Sequence, residues 1–257
     1  QNHKWEEPMP QNDQPSVKIY GDMRIRSFWV VWMCEELALP WELEQVMPWT
    51  SAMYAVNPLG KVPVLADGDV HIYESGAILN YLAESYQEAA GVKLIPQSGT
   101  KERALYDQFL MVIFNDIESL GLWTHRKFID LALHAARPEV MQELEYIHIP
   151  ETAAPAKYTF ERSLSVLVEE LRQHEYLLGD NFTALDIHLL CDLEWAEALD
   201  WLNGNPDEVL LREYYERVRM REAYKACWKI RKPLDISRRA LHTFTPQNQP
   251  PPKGFRN

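Results

Sequence analysis

Asn57-Pro58-Leu59-Gly60-Lys61-Val62-Pro63-Val64-Leu65, followed by Glu74-Ser75-Gly76-Ala77-Ile78, is the stretch on which the fold of this chain turns. The Asn-Pro-Leu-Gly turn leads into a strand whose second residue, Pro63, cannot donate a ladder hydrogen bond. Such a proline belongs at an edge, at a bulge or in a cis turn. The backbone groups of Val62, just before it, are then open to the backbone of a ligand. Further on, Ser75 can cap a helix while Glu74 stands beside the helix N-terminus. An acceptor for an ammonium is thereby set next to donors for a carboxylate. An edge strand and a helix start arranged in this way suit a small zwitterionic peptide.

Outward from this stretch the chain changes character once. Val17-Lys18-Ile19-Tyr20 alternates as a strand and stops at Gly21-Asp22. The apolar spacing of Trp29, Met33 and Leu37 predicts a helix over Ser27–Leu39, with Glu35-Glu36 as its polar edge and Pro40 as its stop. A strand is expected over Glu42–Met47 and a short helix near Ser51–Val56. Val62–Ala66 and Val70–Tyr73 flank the hairpin signal Asp67-Gly68, and a helix follows from Ser75 to about Tyr86. The order βαβαββα implies a small mixed sheet with both faces covered.

After a linker at Pro96–Thr100 every long segment reads as helix. The first runs from Lys101 to about His134, with Leu105, Phe109, Val112, Ile113, Ile117 and Leu120 on its apolar stripe. Others are expected over Lys157–His174, from Thr183, and over Asp207–Ile230. The fold class is therefore α/β plus all-α. An α/β domain spans 17–96 and an all-helical domain 101–242. Tails cover 1–16 and 243–257, the second carrying Pro250-Pro251-Pro252. The segment Arg137–Ala156 is a long connection that could shape a substrate pocket.

The net charge of −12 and the pI near 5.2 argue against a nucleic-acid partner, which calls for a basic face. The basic clusters Arg217, Arg219, Arg221 and Arg238, Arg239 read as solvated helix faces. Three cysteines, Cys34, Cys191 and Cys227, sit in apolar or aromatic surroundings and read as buried free thiols of a reducing compartment. No apolar run approaches the roughly 18 residues that a membrane span needs. The polar first 16 residues show no signal peptide, so a cytoplasmic location is expected. The histidines show no metal-site spacing, and no glycine-rich phosphate loop is present.

The Asn57–Leu65 segment resembles the cis-proline turn and strand of the glutathione S-transferase superfamily. Glu74-Ser75-Gly76-Ala77-Ile78-Leu79-Asn80-Tyr81-Leu82 resembles its acid-serine helix. Gly179-Asp180-Asn181-Phe182-Thr183-Ala184-Leu185-Asp186-Ile187 resembles its buried capping motif. The three stand in family-like order over roughly residues 17–230. The last has its own physics: Thr183 is an N-cap, and Asp186 three residues later can reach back to its N–H as a capping box. The resemblance implies a thioredoxin-like N-terminal domain, a helical C-terminal domain, glutathione as cosubstrate and a homodimer.

Glutathione chemistry needs a thiolate near neutral pH, and a helix N-terminus or a cation lowers a thiol pKa from about 8.5. The place for this is the turn Tyr20-Gly21-Asp22-Met23-Arg24-Ile25-Arg26-Ser27-Phe28. Ser27 could donate its hydroxyl to the thiolate, or serve as a plain N-cap. Tyr20 could play the part of the tyrosine-type transferases, or pack as a strand residue under the helix. Arg24 and Arg26 could stabilise the thiolate electrostatically, bind an acidic cosubstrate, or remain solvated. Many bacterial relatives place a serine between these arginines, where this chain has Ile25, which cannot donate. No cysteine lies in the turn, which argues against a mixed disulfide with glutathione.

For the peptide itself, the resemblance implies that Val62, ahead of Pro63, pairs with the cysteinyl backbone. Glu74 and Ser75 hold the γ-glutamyl end, with Lys61 and His71 toward the glycyl carboxylate or the rim. Asp116 could reach a glutathione amine across a dimer. A small hydrophobic electrophile would lie between the domains, against Tyr106, Phe114 and Trp123. Three readings follow: a glutathione transferase, a glutathione-binding protein with little catalysis, or a glutathione-dependent lyase or isomerase that cleaves ethers or removes halogens.

Overall fold

The computed structural model describes residues 16–129 and 148–231. The 243–257 tail, Arg238-Arg239 and most of the 137–156 connection lie outside these residues. Strand β1 (Val17–Gly21) runs parallel to β2 (Trp41–Gln45) and antiparallel to β3 (Val64–Asp67), which pairs with β4 (Val70–Tyr73). Helices α1 (Ser27–Glu36), α2 (Ser51–Tyr54) and α3 (Ser75–Ala90) complete the βαβαββα order, and the sheet order is β2-β1-β3-β4. Strand alternation divides the side chains between two layers. Val17, Ile19 and Leu65 join α1 and α3 in the main core. Tyr20 and Val64 pack instead with Val46, Met53 and Val62 on the α2 side.

Several boundaries move for identifiable reasons. Strand β3 begins at Val64 rather than Val62, because Pro63 has no N–H for the ladder; the Val62–Pro63 peptide is cis. The hairpin loop is Gly68-Asp69, since Asp67 still pairs with Val70. Helix α1 stops at Glu36: Ala38 takes φ 49°, and Leu39 turns back to donate to the Cys34 carbonyl. Helix α3 runs four residues beyond Tyr86, to Ala90, and ends on left-handed Gly91.

In the helical half, α4 (Lys101–Met111) continues through a π-helical stretch (Val112–Leu122) into α5 (Trp123–Phe128). The wider π turn shifts the buried face. Phe109, Ile113 and Ile117 are core as expected, but Leu120 is exposed and Gly121 and Leu122 take its place. Leu105 is exposed as well. Helix α6 (Ala153–Leu171) packs along this rod, and α7 (Ala184–Ala198) is the central helix, buried on nearly every side. The capping box at its start is present, with Asp186 accepting from the Thr183 N–H at 2.8 Å.

The single helix expected over Asp207–Ile230 is two, α8 (Glu208–Arg219) and α9 (Glu222–Arg231). The break at Met220-Arg221 lets α9 turn back onto α1, where Tyr224 meets Phe28 and Trp32 edge-on. The arginines there are not a solvated face. Arg221 donates twice to Glu36 on α1, at 2.7 and 2.6 Å, and lies 3.8 Å over the Phe182 ring. Glu36, read as part of a polar edge, is thus an interdomain ion-pair partner whose side chain keeps 7% exposure.

Candidate functional site

The site forms at the carboxyl end of β1, where β1 meets a parallel neighbour on one side and an antiparallel one on the other. Val64 faces Tyr73 in the β3–β4 register. Val62 and Ser75, each two residues beyond that pair, therefore reach the same end of the sheet. Asn57 fixes the approach: its side chain donates to the Lys61 carbonyl and accepts from the Leu59 N–H. Gly60 turns at φ 63°, with the Tyr54 ring where a Cβ would stand. Among the described residues nothing hydrogen-bonds to the Val62 N–H or carbonyl.

Across from Val62 the helix start differs from expectation. Glu74 occupies the N-cap position, at φ 74° and ψ 115°, and its side chain makes no cap bond. A non-glycine residue held there is strained. Ser75 is the first helical residue, not the cap. Its hydroxyl is buried and has no hydrogen-bond partner among the described residues. The first-turn N–H groups of α3 are orphan donors by construction. The result is a buried hydroxyl, free N–H groups and an exposed carboxylate at one helix end. Lys61 lies exposed in the turn beside Val62, whereas His71 is exposed in the middle of β4, opposite Ala66 and away from this end.

The first turn is more tightly organised than its sequence suggested. Ser27 is fully buried, and its Oγ accepts from the Asp22 N–H at 3.0 Å. Only a glycine fits at position 21, because a Cβ there would stand 1.8 Å from that Oγ. Arg24 is not solvated: Nε and Nη2 donate to the two Asp22 carboxylate oxygens at 2.8 and 2.7 Å, and the Arg24 N–H and Gln45 Nε2 donate to them as well. Burial works to raise the Asp22 carboxyl, and the Arg24 bonds outweigh it, holding it below the usual carboxylate range. Tyr20 packs on the α2 side, beside Val62, with Lys18 Nζ 5.0 Å over its ring.

Arg26 points the other way, toward the helical domain. Its guanidinium donates to Glu118 Oε1 at 2.6 Å and lies over Trp29 and Trp123 at 5.2 and 5.4 Å. It keeps 22% side-chain exposure, while Glu118 has 2%. Behind Glu118, on α7, sit His188 and Asp192, both fully buried. Burial raises the Glu118 carboxyl, against the pull of Arg26. Burial, then the charge of Glu118, raises the Asp192 carboxyl further. Burial and Arg26 press His188 down to about 3, so it is neutral. This cluster escaped sequence reading. The signal available was polar residues four apart within the apolar run of α7.

Of the aromatic residues expected against an electrophile, Tyr106 is core: it is fully buried and donates to Asn80 Oδ1 at 2.5 Å. Phe114 is half-buried and wedged between Gly76 and His188, at the seam of the two domains. Trp123 is half-buried, edge-on to Trp195 and beneath Arg26 and Arg126. Asp116 is half-buried on the π stretch. The structure thus brings together Val62, Glu74, Ser75 and the α1 start, with Arg26, Phe114 and Trp123 toward the interdomain side.

Residues 29–90 match the family model for the glutathione S-transferase N-terminal domain, and residues 138–228 match that for its C-terminal domain. Glutathione S-transferase F10 of Arabidopsis thaliana is 30% identical over 177 residues, covering 68% of this chain and 74% of that protein. Glutathione S-transferase F14 of the same plant is 28% identical over 163 residues, 63% of this chain. The chain spans 57% of the length of F14. A theta class glutathione S-transferase from Xanthomonas axonopodis pv. citri, solved with glutathione bound, superposes with a TM-score of 0.59 at 28% identity, over 82% of this chain and 96% of that one. With the sheet, the cis-proline turn, the acid-serine helix start and the buried capping box all in place, the chain belongs to the glutathione S-transferase family.

Proposed function

We propose that this protein is a glutathione transferase, which binds glutathione at the carboxyl end of β1 and activates its thiol for attack on an apolar electrophile. The observation that carries this reading is the buried, unpartnered Ser75 hydroxyl at the α3 N-terminus, opposite the unused backbone of Val62. Val62 pairs with the cysteinyl backbone of the tripeptide. Ser75 and the α3 N–H groups hold the γ-glutamyl carboxylate, and Glu74 faces its ammonium. Lys61 stands toward the glycyl end.

The sulfur then lies near the start of α1. Ile25 has no donor, and the Ser27 hydroxyl is buried against Asp22. Activation therefore falls to the Arg26 cation and the α1 N-terminus, where the Arg26 and Ser27 N–H groups meet no acceptor among the described residues. A thiol pKa lowered by two units corresponds to about 2.7 kcal/mol. The thiol proton leaves to solvent. The thiolate sulfur bonds to an electrophilic carbon, and the leaving group departs with its electron pair. Phe114 and Trp123 supply apolar surface beside Arg26. Exposed Val70, Tyr73, Leu105 and Met111 support a homodimer within this reading. Among the described residues no helix is long and apolar enough to cross a membrane.

Isothermal titration calorimetry with glutathione, followed by conjugation of a chloronitrobenzene, tests the assignment. Binding with turnover is expected. Ser75→Ala removes a hydrogen bond to a charged group, so affinity falls roughly tenfold to a hundredfold. No binding by the intact protein refutes the reading. A second reading, glutathione binding with little catalysis, is favoured by Ile25 together with the buried Ser27 hydroxyl. Saturable binding with no turnover of any electrophile selects it.

A further inference from the structure

The interdomain seam holds a charge arrangement that the proposed chemistry has not used. Phe114 meets His188 and Trp123 meets Trp195 across these two helices, so Glu118 and Asp192, each one turn after the first pair, face the same seam, and the Glu118 charge bears on Asp192. Two buried carboxylates facing one seam repel when both are ionised, which favours a proton on one of them. Glu118 already accepts from Arg26. Neither an Asp192 oxygen nor a His188 nitrogen meets a hydrogen-bond partner among the described residues. Both carboxyls are buried, at 2% and 0% exposure, with one cation to balance them. Two buried anions against one cation would leave an uncompensated buried charge, which is strongly unfavourable.

We propose that Asp192 is a positioning residue: it holds the shared proton and donates it to Glu118, leaving one negative charge to anchor Arg26 beside the sulfur site. The groups that face this pair are Arg26 ahead of α1, His188 on α7, and Glu74 ahead of α3, whose charge also bears on Glu118. His188, one helical turn before Asp192, is held between Trp29 and Phe114 at 5.2 and 4.9 Å, ring to ring. Arg26 is thereby fixed over Trp29 and Trp123 by a monoanion. Its remaining charge is turned toward the opening, where 22% of the side chain stays exposed. The shared proton stands independently of ligand identity. Only the target of Arg26 rests on the glutathione reading.

Two measurements test it. The first is the melting temperature of the intact protein and of Asp192→Asn across pH. An acid whose folded pKa lies above its unfolded value contributes stability that is lost as pH rises from about 4 through the folded value. The asparagine has no such titration and can still donate to Glu118. The advantage of Asp192→Asn over the parent should therefore grow between about pH 4 and pH 8. A difference that does not vary with pH overturns the shared proton.

The second measurement is the ultraviolet thiolate absorbance of bound glutathione, titrated against pH, together with kcat/KM. Asp192→Ala should raise the bound thiol pKa and lower kcat/KM about tenfold, as a misplaced group does. Asp192→Asn should restore most of that loss. In an Arg26→Ala background, Asp192→Ala should add nothing further. Additive losses, or an Asp192→Asn protein as impaired as Asp192→Ala, overturn the positioning role. Failure of the parent to bind glutathione refutes the functional reading and leaves the melting comparison standing.

Discussion

Removing the Asp186 carboxylate should destabilise the helical domain severely. This side chain is fully buried and accepts from four donors. They are the Thr183 N–H at 2.8 Å, the Thr183 hydroxyl at 3.1 Å, the Leu177 N–H at 3.1 Å and the Tyr214 hydroxyl at 2.9 Å. Burial lifts its carboxyl to about 6, and the four donors oppose the rise, so it is ionised at neutral pH. Asp186→Ala leaves the two N–H groups and the two hydroxyls buried without this acceptor. Each orphan costs about 1–3 kcal/mol if the surroundings do not relax. Breaking a buried charged network costs about 3–5 kcal/mol in all. At about 2–4 °C per kcal/mol for a chain of this size, the melting temperature should fall by roughly 10 °C or more. Urea unfolding followed by circular dichroism measures the cost directly, with an unchanged m-value expected. Asp186→Asn keeps one acceptor but sets an amide donor against donors, so it should cost about half as much. The pH dependence has a definite sign. The folded value, about 6, lies above the unfolded one. The wild-type advantage over Asp186→Ala should therefore shrink as pH rises from about 4 to about 6 and stay constant above. A cost for Asp186→Ala below about 1 kcal/mol at unchanged m-value would refute the reasoning.

Gly76→Ala should destabilise by about 1–3 kcal/mol, because its Cβ would stand 2.7 Å from Phe114 Cε2; a Gly76→Ala, Phe114→Leu double variant should recover most of this, and no recovery would acquit the ring. Arg221→Ala strips Glu36 of its cation while the Trp32 indole bond at 2.9 Å survives. With Arg221 partly exposed, urea unfolding should show a loss of about 2 kcal/mol, and a value near zero would remove this pair from the domain junction. Burial pushes the Cys34 and Cys227 thiols well above the usual range, so iodoacetamide should label them only as fast as the protein unfolds; rapid labelling of the native protein would contradict their burial.

The order of elements was legible because each carries a local signal. Period-two alternation marks β1, turn residues mark the hairpin, and the Thr183-Asp186 pair marks the start of α7. Boundaries moved where tertiary contacts outweighed local pattern. Pro63 delays β3 because the ladder needs an N–H. The break between α8 and α9 exists because Arg221 reaches a carboxylate 185 residues away in sequence. The π stretch after Met111 is equally invisible to a search for a 3.6-residue period, and it is what moves burial from Leu120 to Gly121 and Leu122. At the candidate site, Val62 was marked by the proline that follows it. Ser75 was marked as a helix start but misplaced by one position, since the cap position belongs to Glu74.

By itself, then, the sequence determined which layers form and where a peptide backbone can lie, because turns, caps and proline act over a few residues. Only the tertiary structure decided which side chains of the first turn stay free to act. Ser27 is fully buried with its oxygen accepting from the Asp22 N–H, Arg24 is held by the Asp22 carboxylate, and Arg26 is drawn out toward Glu118, 92 residues away. Burial and charge pairing arise from packing between elements distant in the chain, and no local spacing of residues encodes them.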